Sequence, residues 1–118
     1  MSGRIIAQTN LIEVRQGDSF TINIQIKKGH KPLDLNGSKL MMQVRDTDDT
    51  VMISKVADFI DSEQGKMSLI LTSTDTDVSV GDYKVDIQLI LPDNSIHTIF
   101  PSDVNKIGIF RITEQVTR

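Results

Sequence analysis

The chain has 118 residues, with 16 acidic against 13 basic side chains, a net charge of −3 and no cysteine. Its length is near the commonest domain size and buries enough surface for one domain to fold without staples, and the missing cysteine rules out disulfides and thiolate metal sites. The acidic balance excludes a general binder of nucleic acid or anionic lipid, which needs a basic surface, and no apolar run reaches the ~18 residues of a membrane span.

Residues 1–10 hold one arginine and the short apolar stretch Ile5-Ile6-Ala7, too short for the core of a signal peptide. Synthesis in a cytoplasm is therefore expected. This segment is read as an N-terminal arm. Ile5 and Ile6, apolar yet ahead of the first regular strand, are the candidate partner-contact residues. The same two residues also suit the start of that strand, packed inside.

Beyond the arm the hydrophobic period is 2 almost everywhere, which marks strands with one buried face. Leu11 to Arg15 is a short candidate. Phe20, Ile22, Ile24 and Ile26 then alternate with Thr21, Asn23, Gln25 and Lys27. Leu40, Met42 and Val44 repeat the pattern, and Val51 to Val56 is another short candidate. Met67, Leu69 and Leu71 follow, with Ile70 interrupting the polar face. Tyr83, Val85, Ile87 and Leu89 form the longest run. Ile96 to Phe100 is weaker, and Gly108, Phe110 and Ile112 close the series.

Turn residues punctuate these runs at the spacing of a sandwich. Gln16-Gly17-Asp18, Lys28 to Pro32, Asn36-Gly37, Asp46 to Thr50, Gln64-Gly65, Gly81-Asp82 and Pro92 to Ser95 fall between them. Gly17 and Gly37 permit the positive φ of a tight turn, and Asp18 or Asn36 can bond the turn backbone. Helix is scarce: Asp58 to Gln64 suits one turn, and Ser73 to Val80 a second. The expected fold is all-β, an immunoglobulin-like antiparallel β-sandwich of about 7–8 strands spanning residues 11–113. Its expected core is Ile24, Ile87, Phe20, Ile22, Val44, Leu69, Tyr83, Val85, Leu89 and Phe110. Met41 and Met52 are read as core filling rather than as an adaptable contact surface.

Catalytic chemistry has little to work with. The two histidines, His30 and His97, fall at hairpin or strand-edge positions, and no serine stands in a Gly-x-Ser-x-Gly setting. The loop Asp46 to Thr50 fails as a helix-flanked calcium loop, because the sixth and twelfth positions are Val51 and Ala57. Two turns can still share Ca²⁺ through Asp48 with Asp75 or Asp77, but a solvated turn is the simpler reading. Gly65-Lys66 is followed by Met67, not Ser or Thr, so it makes no phosphate loop. One Tyr, four Phe and no Trp leave little for stacking sugars or bases. Lys27, Lys28, His30 and Lys31 are the one basic cluster and read as a solvated hairpin tip. No enzyme activity, metal or cofactor is expected.

Five turn-and-strand motifs recur in order: Arg15-Gln16-Gly17-Asp18-Ser19-Phe20, Pro32-Leu33-Asp34-Leu35-Asn36-Gly37, Leu71 to Thr76, Gly81 to Ile87, and Gly108 to Ile112. This series resembles the N-terminal domain of the upper baseplate proteins of tailed phages of Gram-positive bacteria, the lactococcal siphophage type in particular. The resemblance covers Leu11 to Ile112. It departs at Pro92-Asp93-Asn94-Ser95, where an Asp-Gly type of turn is commoner. It implies a structural virion protein, made in the bacterial host cytoplasm, whose N-terminal domain docks on the tail hub protein. A helical linker would lead on to a C-terminal part carrying the receptor-binding protein, and residues 114–118 would begin that linker or a tail. The chain then reads as the docking domain alone or as a shortened homologue. The hub, the receptor-binding protein and other copies of the chain are the implied partners. The alternative function is a carbohydrate-binding or adhesin β-sandwich module, and the scarcity of aromatic residues counts against it.

Overall fold

The computed structural model describes residues 3–6, 10–101 and 107–114, and of residues 3–6 it describes the backbone. The alternating runs become strands β2 (Leu11–Arg15), β3 (Phe20–Gln25), β6 (Lys39–Arg45), β7 (Val51–Val56), β9 (Lys66–Leu71), β10 (Gly81–Ile90), β11 (Ile96–Phe100) and β12 (Gly108–Thr113). Four further strands appear: β1 (Gly3–Ile6), the two-residue β4 (Lys27–Lys28) and β5 (Lys31–Pro32), and β8 (Asp58–Asp61). The one helical turn expected within Asp58 to Gln64 is present only in its second half. The segment divides into β8 and a 3₁₀ turn at Ser62–Gln64, which Gly65 ends at φ 69°.

The larger sheet has seven strands in the order β1-β2-β12-β10-β6-β7, with β11 pairing to β10 where β12 leaves off. The second sheet is β3-β9-β8, and β4-β5 forms a separate hairpin. Both main sheets contribute to one core. Ile12, Val14, Met42, Val44, Ile87, Phe110 and Ile112 from the first join Phe20, Ile22, Met67, Leu69 and Leu71 from the second. Each fully buried aliphatic side chain of this kind stabilises the fold by about 1.5–3 kcal/mol relative to exposure.

The all-β expectation holds, but three details change. Pairing is not antiparallel throughout: β2 and β12 run parallel, Leu11 beside Ile109 and Val14 beside Ile112. With mixed sheets of seven, three and two strands among the described residues, the architecture is not clearly an immunoglobulin-like sandwich. Of the expected core, Ile24 and Tyr83 are only half-buried, packed against it rather than inside it. Ile24 lies near the end of β3, where the sheet gives way to the hairpin. Met52 is exposed and Met41 half-buried, so Met52 fills no core.

Turn chemistry follows expectation with one exchange. Gly17 and Gly37 sit at φ 80° and 79°. In the turn before β6, however, the Asp34 carboxylate accepts the Asn36 N–H at 2.9 Å, while Asn36 itself accepts the Ser62 hydroxyl at 2.8 Å.

These connections give the domain two distinct ends. At one, the β4–β5 hairpin leaves beside Gly65; Ile26 N–H donates to the Gly65 carbonyl at 2.8 Å and Leu33 N–H to the Ile26 carbonyl at 3.0 Å. At the other gather the turns 16–18, 46–50 and 72–77. There Gly17 N–H donates to Thr76 at 3.2 Å, Gln16 N–H to Thr113 at 2.9 Å, and Lys84 pairs with Asp49.

Candidate interaction surfaces

Three features of the surface go beyond what the fold requires. The first is one side of the two main sheets. Strand β7 is one edge of the large sheet and β8 an edge of the small one, with Ala57 alone between them in sequence. Along this continuous stretch Val51, Met52, Val56, Phe59 and Ile60 are all exposed. Ile53 points inward and is 4% exposed, so alternation places its neighbours outside. Val56 faces half-buried Met41 across the ladder, and a register shift between Phe59 and Asp61 turns Ile60 out of regular pairing. Unpaired edges with apolar side chains invite a partner, because both the backbone groups and the side chains remain unsatisfied.

The second feature is the opposite edge of the large sheet, occupied by β1. Its backbone pairs antiparallel with β2, setting Ile5 opposite Ile12 and Ile6 opposite Leu11. The backbone of the expected arm is therefore laid onto the sheet over residues 3–6. Residues 7–9, also part of that arm, lie outside the described residues, as do 115–118 of the expected linker.

The third is charge. Lys27, Lys28, His30 and Lys31 stand exposed on the β4–β5 hairpin, as expected of its tip. The far end carries the aspartates. Asp46 spends one carboxylate oxygen on the N–H groups of Asp48 (2.9 Å) and Thr50 (3.0 Å), holding the 46–50 turn. Asp75 accepts from Thr72 N–H at 2.7 Å and meets Lys55 at 2.7 Å. Partial burial pushes its pKa up, but Lys55 and the two Thr72 donors together outweigh that and hold it below the usual carboxylate value. Asp82 takes a two-pronged contact from Arg111, at 2.8 and 3.2 Å, and that hydrogen bonding lowers its pKa. Among the described residues no group of three or more His, Asp or Glu side chains is placed to hold a metal ion.

The histidines lie apart. His30 is at the hairpin tip, whereas His97 Nε2 lies 3.3 Å from the Ser95 hydroxyl, which bonds Asp93 at 2.6 Å. The carboxylate here holds the serine and also its N–H at 2.9 Å, which is turn chemistry. A nucleophilic triad needs the acid on the imidazole instead.

Residues 4–100 match the family model of the BppU N-terminal domain. The chain belongs to that family. BppU is the baseplate upper protein of lactococcal phage, so this is an all-β domain of a phage baseplate family, one that is structural and generally non-enzymatic. Membership implies partners in baseplate assembly and a place in the virion. No curated protein matches the chain.

Sequence reading passed over the β7–β8 edge. The available signal was two adjacent apolar pairs, Val51-Met52 and Phe59-Ile60, since strict alternation cannot bury both members of a pair. Ile70, which interrupts an otherwise polar face, does prove exposed, opposite Thr21 on the outer side of the small sheet.

Proposed function

We propose that this BppU-family domain is a docking adaptor, attaching a receptor-binding apparatus to the tail hub of a phage baseplate. The observation that carries the reading is the apolar edge from Val51 to Ile60 on a domain whose family builds baseplates. A hub subunit adding to that edge would cover Val56, Phe59 and Ile60 and satisfy the open backbone groups of β7 and β8. Strand β1, with Ile5 and Ile6, is the second contact, a clasp at the other edge of the same sheet. The receptor-binding protein would be carried by a C-terminal part of the full adaptor, and other copies of the domain would be neighbours in the virion.

We propose further that the fold is immunoglobulin-like. The path β2-β12-β10-β6-β7 against β3-β9-β8 matches the order of a variable-type sandwich with strands A′GFCC′ facing BED. Tyr83, near the start of β10, donates its hydroxyl to the Ser79 carbonyl at 2.6 Å, the bond of a tyrosine corner.

Mixing the domain with the cognate hub ring and following co-elution tests the function. One copy is expected to bind with a Kd of about 1 μM, roughly −8 kcal/mol, since a ring of identical sites multiplies weak contacts. Val56→Asp and Phe59→Asp, both at exposed positions, should weaken the complex while the melting temperature stays put. Deleting Met1 to Thr9 should weaken it too. If no complex forms at tens of micromolar and the domain is retained on cell-wall glycan, the carbohydrate-binding alternative replaces the docking one.

A further inference from the structure

We infer that the β4–β5 hairpin is a binding site for a flexible phosphate polymer, held by Lys27, Lys28 and Lys31. The hairpin sets Lys28 directly opposite Lys31 on one face of the ribbon, with Lys27 on the other. Like charges facing one another across a ladder are unfavourable. No described carboxylate lies within ion-pair distance of any of the three lysines. Nor does the hairpin serve the core, since both its strands are exposed. The fold nevertheless holds it in place. Gly29 opens its two-residue loop at φ 65°, as the first member of such a loop requires. Gly65 lies so close to its base that an added Cβ would strike the Ile26 and Leu33 carbonyls. Ile26 N–H donates to Gly65, and Leu33 N–H to Ile26, across that base. Repelling charges on a fixed support, left unpaired by their own chain, are preorganised for an anion from outside.

The residue types identify the class of anion. The segment Lys27 to Pro32 contains no Phe, Tyr, Trp, Arg or branched aliphatic side chain. A protein partner would need such anchors, because Trp, Tyr and Arg dominate the energy of protein interfaces. Single-stranded nucleic acid gains much of its affinity by stacking on aromatic rings, which this segment does not offer. Lysine meets phosphate as a point charge and demands no fixed geometry, which suits a flexible chain. Binding then rests on charge alone, through release of the polymer's counterions. With Cβ atoms about 4.5–5.5 Å apart, Lys28 and Lys31 can close on one phosphate and leave Lys27 for its neighbour. The rest of the chain confines the contact to the hairpin. Without those three lysines it has 10 basic against 16 acidic side chains, a net charge of −6, and repels the polymer elsewhere. The site shares no residue with the β7–β8 edge, so this inference and hub docking can fail separately.

Fluorescence anisotropy of labelled long-chain inorganic polyphosphate, titrated with the whole chain over a salt series, reads the contact. Binding is expected at low ionic strength, with log K falling against log salt at a slope of about −2, three charges at about 0.7 each. A tenfold rise in salt should therefore weaken it about a hundredfold. Lys28→Gln with Lys31→Gln should cut the slope to about −0.7 and weaken low-salt binding at least about tenfold, without lowering the melting temperature. Arg15→Gln with Arg45→Gln removes the same charge from exposed positions at the far end and should leave binding within about twofold. A parent chain that does not bind at low salt overturns the inference. So does an equal loss in the two double variants, since net charge alone would then account for it. Poly-glutamate bound as tightly as polyphosphate of equal charge would assign the hairpin to an acidic protein and overturn the inference. A thymidylate oligomer bound more tightly than polyphosphate would assign it to nucleic acid and overturn it as well.

Discussion

Thr76 is fully buried, and its hydroxyl donates to the Asp18 carbonyl at 2.7 Å, tying the turn after β9 to the turn before β3. Ser38 is also buried, yet its hydroxyl has no hydrogen-bond partner among the described residues. The two should respond oppositely to loss of the oxygen. Thr76→Val keeps the shape but strands a carbonyl, and urea denaturation should show a loss of about 1–3 kcal/mol. Ser38→Ala removes an orphan and should be neutral or slightly stabilising in the same measurement. Asp75 adds a pH dependence. Its folded pKa lies below the unfolded value, so the stabilisation is complete above about pH 4 and is lost as pH falls through the lowered folded value. Asp75→Asn should therefore be less stable than the parent at pH 7, with the gap closing in acid denaturation curves below about pH 4. Little of this was legible beforehand. A turn aspartate was expected at position 18 or an asparagine at 36, but which side chain bonds which N–H depends on angles that composition does not encode; Asp34 takes that role. Tyr83, expected in the core, is half-buried instead, and its phenol finds an acceptor in the Ser79 carbonyl four residues back.

Strands β3 and β10 read clearly in sequence because each alternates for three or more cycles against polar neighbours. Their burial separates two isoleucines of similar pattern. Ile87, mid-strand in β10 and flanked by β6, is 2% exposed, whereas Ile24 is half-buried at the end of β3. Ile87→Ala should cost about 2–5 kcal/mol, Ile24→Ala only about 1–2 kcal/mol, since part of that side chain already meets water. Equal losses in chemical denaturation would mean that β3 is buried to its end. The elements that sequence reading missed share a cause. Two residues, as in β4 and β5, carry no period at all. The segment Asp58-Phe59-Ile60-Asp61 places two apolar residues side by side, so alternation fails. It is a strand because Asp58 meets Ser68 and Phe59 meets Met67 across β9. The exposed β7–β8 edge, proposed above as the docking surface, was hidden for the same reason: adjacent apolar pairs are where the pattern stops serving the core.

Strands from early and late in the chain, β2 and β12, meet within the large sheet. Strand β12 lies between β2 and β10, parallel to the first and antiparallel to the second, so residue 11 pairs with residue 109. No local pattern announces this, because it joins segments nearly the whole chain apart. The family match ends at residue 100, before β12 begins. The physical domain is nevertheless incomplete without that strand. Phe110 and Ile112 are 0% and 1% exposed, and Gly108 lets β12 approach so closely that an added Cβ would strike the Val85 carbonyl. Removing β12 deletes two core side chains, of which the phenylalanine contributes about 3–5 kcal/mol and the isoleucine about 2–5 kcal/mol. It also opens ladders on both β2 and β10. Those losses together rival the 5–15 kcal/mol, roughly, by which a whole domain is stable. A chain ending at Asn105 should therefore show no cooperative transition in far-UV circular dichroism, whereas a chain ending at Glu114 should melt with the parent. Cooperative melting of the shorter chain would mean that β2 and β10 can pair directly, and that the sheet does not depend on its last strand.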